Sequence, residues 1–200
     1  MTESAIPAGF SAFAGETITL ADRKFLVRRA TAADVPGLVS LLRDDALGAG
    51  REGAGTEDVA DYQHAFGLID SDPNQLLVAV DEVTDSSDVT DSTAEPRVDR
   101  RSQPSETEST ALVGTLQLTL IPSLSRRGST RLQIEAVRIG PAAQGLGLGT
   151  AVFDWAHDCG RRFGASLAQL TTDKSRADAQ RFYARLGYKV SHKGLKLDLS

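Results

Sequence analysis

The sequence predicts an α/β fold, with a mixed, mostly antiparallel central sheet and helices on both faces. Two observations carry this. Apolar residues recur with period two in short runs and with helical spacing in longer ones, in the order β-α-α-β-β-β-α-β-α-β-β; strands and helices interleaved in this way form a sheet covered on both sides. The apolar residues of Arg131–Ile139 also change parity partway: Leu132 and Ile134 fall on one phase, Val137 and Ile139 on the other. Strand side chains alternate with period two, so the simplest cause is a β-bulge near Glu135-Ala136. The competing reading is a strand buried on both faces with no slip.

Thr17–Leu20 and Phe25–Arg28 read as a pair of strands. Thr31-Ala32-Ala33-Asp34 has the form of an N-cap, leading into a helix over Val35–Arg43 with Pro36 in its first turn and Leu38, Leu41 and Leu42 at helical spacing. A glycine-rich loop, 48–55, leads to a second helix over about 57–69, which Asp72-Pro73-Asn74 stops. Leu76–Val80 is a short buried strand, and Ala111–Ile121 a further strand ended by Pro122. A turn containing Arg126-Arg127-Gly128 feeds the strand Arg131–Ile139. Beyond it follow a helix over about 148–163, a strand Ser166–Thr171, a helix over about 175–186, and two short strands, Tyr188–Ser191 and Leu195–Leu199.

Residues 1–200 fit one domain, and 40% hydrophobic residues suffice for a core. No run approaches the roughly 18–20 apolar residues of a membrane span, so no membrane partner is expected. Residues 1–13 have neither the basic nor the apolar region of a secretory signal. The single cysteine, Cys159, excludes an intrachain disulfide and a zinc cluster, which suits a cytoplasmic setting. His64, His157 and His192 share no metal-ligand spacing, so no metal is expected. The net charge of −5 resides in one segment: 82–110 holds eight acids and three bases, an excess of five. With only Val83, Val89 and Val98 as larger aliphatics, that segment reads as an acidic, disordered insertion. The remainder is neutral, and nothing calls for nucleic acid. The sequence is compatible with a homodimer but fixes no oligomeric state.

Gln144-Gly145-Leu146-Gly147-Leu148-Gly149-Thr150 places three alternating glycines where a strand hands over to a helix. Free amides there, and about half a positive charge from the helix dipole, suit a phosphate-bearing ligand. A dinucleotide turn needs G-x-G-x-x-G near the start of a parallel unit, and a triphosphate loop needs lysine after its last glycine. Neither fits evenly spaced glycines that arrive late and are followed by Thr150.

Three stretches in order instead resemble the GNAT acetyltransferase superfamily. Val27-Arg28-Arg29-Ala30-Thr31-x-x-Asp34 is similar to its first strand and helix entry. Gln144-x-x-Gly147-x-Gly149, after Glu135-Ala136-Val137-Arg138-Ile139, resembles its acetyl-CoA loop. Ala179-Gln180-Arg181-Phe182-Tyr183-Ala184-Arg185-Leu186-Gly187-Tyr188 resembles its last helix and the strand after it. The resemblance implies a GNAT-like fold, acetyl-CoA as acyl donor, and direct transfer to an amine of a small molecule or protein. It implies that Gln144, Gly145, Leu146, Gly147, Leu148, Gly149 and Thr150 cradle the pyrophosphate while Val137, Arg138 and Ile139 flank the pantetheine arm. Tyr183 matches the superfamily's tyrosine near the CoA sulfur, and Glu135, at the bulge, is the candidate base. Arg176 stands where the superfamily often has asparagine, and is a candidate contact for a CoA phosphate or the substrate. Thr172, Asp173 and Lys174 could touch the cofactor or simply cap a helix. A catalytically inactive CoA-binding regulatory or assembly module is the alternative function, and a nucleotide-binding protein a third. The acceptor would be chosen by the first two helices and by loops 44–56 and 122–130.

Overall fold

The computed structural model describes residues 9–44, 58–84 and 109–199. Six strands form one sheet in chain order: β1 (Glu16–Leu20), β2 (Arg23–Arg29), β3 (Gln75–Thr84), β4 (Ser109–Pro122), β5 (Thr130–Ile139) and β6 (Ala165–Gln169). Neighbours from β1 to β5 are antiparallel, and β5–β6 is parallel. A parallel pair cannot be joined by a tight hairpin; its crossover here is the helix Leu148–Arg162. The helices are α1 (Val35–Arg43), α2 (Val59–Ser71), α3 (Leu148–Arg162) and α4 (Ala177–Arg185).

Each sheet face has its own core. On one, Leu148, Val152, Phe153, Ala156 and Cys159 of α3 cover Leu116, Leu118, Leu132 and Ile134, with Phe182, Tyr183 and Leu186 at the margin. On the other, Leu38 of α1 packs with Ala30 and Ala79, joined by Phe66, Leu77 and Leu112. The α3 residues recur every three or four positions, as an amphipathic helix requires. Gly160 lets α3 lie close on β5: a Cβ there would come within 2.7 Å of Leu132 Cδ2.

The bulge is present. Gln117 pairs with Glu135 and Thr115 with Arg138, so Ala136 and Val137 together oppose Leu116 alone. Ala136 takes φ +53°, a left-handed conformation uncommon for a residue with a Cβ. Val137 and Ile139 pack against the same core as Leu132 and Ile134, so the extra residue restores the phase that the sequence loses. This excludes an unslipped strand buried on both faces.

A second irregularity lies between Val80 and Asp81 of β3. Beside it Arg28 Nε donates to Asp81 Oδ2 at 2.6 Å, and the rest of the guanidinium forks onto Asp34 at 2.7 and 2.8 Å. Asp34 also accepts from Thr31 N and Oγ1, completing the cap expected before α1. One arginine thus ties β2, β3 and the start of α1 together. Asp81 is only 3% exposed, so its charge depends on that partner.

Two expectations are corrected. Residues 82–84 and 109–110 are not insertion but the outer rungs of the β3–β4 hairpin, where Glu82 pairs with Ala111 and Val83 with Thr110. Glu82 accepts two bonds from Arg23, both at 2.6 Å, so its charge is tied into the sheet. Residues 85–108, the bulk of the expected insertion, lie outside the described residues, as does the glycine-rich loop 48–55. The strands expected at Tyr188–Ser191 and Leu195–Leu199 are not formed. Leu195, Leu197 and Leu199 alternate as a strand would, yet each is at least 84% exposed. Alternation fixes which face a residue would take; only a partner edge makes the strand.

Candidate active site

The site is built where β5, the glycine loop and α4 meet. After Ile139, Gly140 and a short 3₁₀ turn, Pro141–Ala143, carry the chain into the glycines. Gly145 has φ +77° and Gly147 φ +83°, and around the Cβ position of each there is open space. Glycine is therefore needed for its backbone conformation, and the missing side chains leave room for a ligand against the main chain. Gly147 is the residue before α3, whose first amides have no partner within the helix. Leu148, 1% exposed, anchors the loop in the core, while Leu146 is 41% exposed and Thr150 lies at the surface. Gln144 is exposed, and its Nε2 donates to Ile139 O at 2.9 Å, which ties the loop to the end of β5.

Gly149 lies between the other two walls. A Cβ there would sit 3.8 Å from Phe182 Cζ and 4.0 Å from Ile139 Cγ1. The loop, the end of β5 and α4 are thus brought together as the sequence suggests. Val137, Arg138 and Ile139 are half-buried in this wall, and Arg138 Nη1 donates to Val137 O at 2.8 Å.

Tyr183 is half-buried beside Phe153 of α3, with ring centroids 5.6 Å apart. Burial pushes its phenol above the ordinary tyrosine value; Arg176 and Arg138 act in the opposite direction, so both cations bear on this hydroxyl. Such a tyrosine remains a proton donor through the neutral range. Glu135 is exposed, next to the bulge and on the opposite strand face from buried Ile134. Of the arginines on the same strand, Arg131 donates to Gln169 Oε1 at 3.5 Å and Arg138 to Val137 O at 2.8 Å.

Arg176 immediately precedes α4. Asp173 accepts from Ser175 N at 2.8 Å and Ser175 Oγ at 2.6 Å, a turn ahead of the helix, whose own N-cap, Arg176, makes no side-chain capping bond. Cys159 is fully buried, its thiol pushed up to about 12 by burial, which leaves it inert as a nucleophile. Among the described residues no group of three His, Cys, Asp or Glu side chains could hold a metal, and no helix is long and apolar enough to cross a membrane.

Sequence reasoning missed one polar pair. His157 Nε2 of α3 and the Tyr188 hydroxyl share a hydrogen bond of 2.8 Å, in an aromatic group with Phe153, Phe182 and Tyr183. The partners are 31 positions apart, and no spacing within one element could have signalled them.

The comparisons with known proteins agree with this geometry. The family described as Acetyltransferase (GNAT) matches residues 91–188. An aminoalkylphosphonate N-acetyltransferase of Salmonella typhimurium is 40% identical over 60 residues, 30% of this chain. That match spans 39% of the length of the Salmonella protein. A solved structure of a transcriptional regulator from Bacillus halodurans C-125 is 36% identical, with a TM-score of 0.68, over 86% of this chain and 98% of that one. A predicted acetyltransferase from Clostridium acetobutylicum, solved with acetyl-CoA, shares the fold at 14% identity and a TM-score of 0.56, covering 88% of this chain and 96% of its own. With a bulged strand, a glycine turn opening α3 and a Phe-Tyr helix closing on both, the chain belongs to the GNAT acetyltransferase family.

Proposed function

We propose that this protein is an N-acetyltransferase that uses acetyl-CoA and passes the acetyl group directly to an amine. One observation carries the reading: Gly145 and Gly147 hold left-handed turns with open space before the first amides of α3, one strand end away from a bulge. These residues fit acetyl-CoA. Main-chain amides of Leu146 to Thr150 would bind the pyrophosphate, which gains both hydrogen bonds and the helix dipole. The freed backbone of Val137–Ile139 would take the pantetheine amides as an added strand. Gln144 would act by fixing the loop rather than by reaching the phosphates.

For an amine of lysine-like pKa, the free base at pH 7 is rarer by about 3.4 units, or ~4–5 kcal/mol. Removing that proton is the task of Glu135, directly or through water. Once the amine attacks the thioester carbonyl, the C–S bond breaks and Tyr183 donates its proton to the departing thiolate. The charges of Arg138 and Arg176, which act on that phenol, favour an acceptor that carries an acidic group as well as its amine. The phosphonate named for the Salmonella relative is of that class. An open cleft lined by Ser40, Leu41, Arg43, Asp44 and Pro141 lies between the end of α1 and the turn before the loop, and would be the acceptor's entrance in this reading.

The name of the Bacillus relative favours a second reading, a CoA-binding regulatory module without turnover. Two measurements separate the possibilities. Acetyl-CoA should raise the melting temperature, with a stabilisation of RT ln(1 + [L]/Kd). Thiol release should then rise above background with an amine panel that includes aminoalkylphosphonates and amino acids. Stabilisation without release by any amine supports the regulatory module; no stabilisation removes both.

A further inference from the structure

The aromatic group around Tyr183 contains one side-chain hydrogen bond, between His157 and Tyr188. Phe153, in α3, touches Phe182, Tyr183, Tyr188 and His157 with ring centroids 5.5–6.3 Å apart. Tyr183 and Tyr188 are themselves 6.0 Å apart. Such ring contacts fill space but let a ring slide or tilt at small cost. A hydrogen bond does not, because it weakens steeply with angle and distance.

We propose that His157 and Tyr188 are positioning residues for Tyr183, with the 2.8 Å hydrogen bond between His157 Nε2 and the Tyr188 hydroxyl locking the tyrosine pair to α3. The inference rests on the role given to Tyr183 above. Tyr188 holds Tyr183 in two ways: by its ring, and by its backbone N–H, which donates to Tyr183 O at 3.0 Å. Beyond Tyr188 the chain adds no support, since residues 189–199 are exposed; Leu186 packs on the core but fixes no angle at Tyr183. His157 is nine residues beyond Leu148, where α3 leaves the glycine loop. The helix that presents its N-terminus to the cofactor therefore also aligns the proton donor.

Burial suits the pair to this task. It pushes the Tyr188 phenol up, helped by Tyr183, and the His157 imidazole down, with Asp154 opposing and Arg161 reinforcing the latter shift. A protonated phenol and a neutral ring can then share one proton over the working range.

The experiment compares Tyr188→Phe, His157→Leu and His157→Gln in the full chain, with acetyl-CoA and whichever amine the wild type uses. Removing only the Tyr188 hydroxyl should lower kcat about tenfold, within the ~10²-fold that a 1 Å misplacement can cost. KM for acetyl-CoA should stay within twofold. His157→Leu should do the same, and His157→Gln, which keeps a hydrogen-bonding group, should recover most of the loss. The double variant Tyr188→Phe/His157→Leu should be no worse than either single one, because one contact is removed in all three. Amide exchange at Tyr188, read in the folded protein without turnover, should be faster in His157→Leu than in wild type. Unchanged kcat in Tyr188→Phe, or a rise in KM alone, or unchanged exchange, overturns the proposal. A wild type that binds acetyl-CoA but acetylates nothing sinks the function of the site instead, and the exchange measurement still judges the pair.

Discussion

Replacing Gly147 by alanine separates what the glycine does for the fold from what it does for the ligand. Its φ of +83° places any side chain in the left-handed region, while nothing lies within 4 Å of the new Cβ. The cost to stability is then backbone strain alone, about 1–2 kcal/mol. Reduced freedom of the unfolded chain returns about 0.4–1 kcal/mol. The net loss, between nothing and about 1.6 kcal/mol, should lower the melting temperature by no more than about 6 °C in a chain of this size. The open space is where a phosphate would approach the amides, so the methyl group should cost at least one charge-assisted hydrogen bond. That is worth about 1.5–3 kcal/mol, a loss of roughly 10- to 100-fold in acetyl-CoA affinity. Asparagine tolerates the left-handed region better but is bulkier, so Gly147→Asn should be the more stable variant and bind no better. Titration calorimetry with acetyl-CoA, alongside thermal melts without it, reads both quantities. Wild-type affinity in both variants would refute the phosphate cradle.

Arg28→Ala should destabilise by about 3–5 kcal/mol, because buried Asp81 loses its ion-pair partner, and the further change Asp81→Asn should recover part of this in urea unfolding. Arg28 holds the Asp34 carboxyl well below the usual carboxylate range, so this pair contributes fully above about pH 4 and is lost as pH falls toward the depressed value. Asp34→Asn should accordingly cost stability at pH 7 and much less in acid, and a difference that grows on acidification would contradict the linkage. Tyr183→Phe should lower kcat by about 10²-fold or more with little change in KM for acetyl-CoA. Because burial raises the Tyr183 phenol, ionisation of this group should not limit the wild-type rate until above the ordinary tyrosine value near pH 10. Cys159, its thiol pushed up to about 12, should resist an aromatic disulfide reagent in the native protein and react once urea unfolds it; rapid native labelling would contradict its burial.

The legible parts of this molecule are those whose cause is local. The bulge could be read from the parity of Leu132, Ile134, Val137 and Ile139 because one extra residue shifts every later side chain to the other face. The glycine loop was legible because left-handed turns at 145 and 147 restrict residue type, and the cap before α1 because Thr31 and Asp34 are three positions apart. Features set by distant pairing were not. The hairpin extends past Val80 through residues whose acidic composition argues against it, since Arg23 neutralises Glu82 from another strand. Leu195, Leu197 and Leu199 carry the pattern of a strand without a partner. The bond from the Gln144 amide to Ile139 O, which ties the loop to the end of β5, was not legible either, because it depends on how the loop folds back on the strand. The His157–Tyr188 bond depends on how α4 docks against α3, which no local periodicity encodes.

The central claim is that an acetyl group leaves the thioester for an acceptor amine without stopping on the protein. Acetyl-CoA labelled with ¹³C in the acetyl group, incubated with the protein and an amine panel, tests this by mass spectrometry. The account predicts label on at least one amine, with those that carry a phosphonate, phosphate or carboxylate favoured, and none on the intact protein. Binding of acetyl-CoA with no labelled amine, or label retained on a protein side chain, would contradict it.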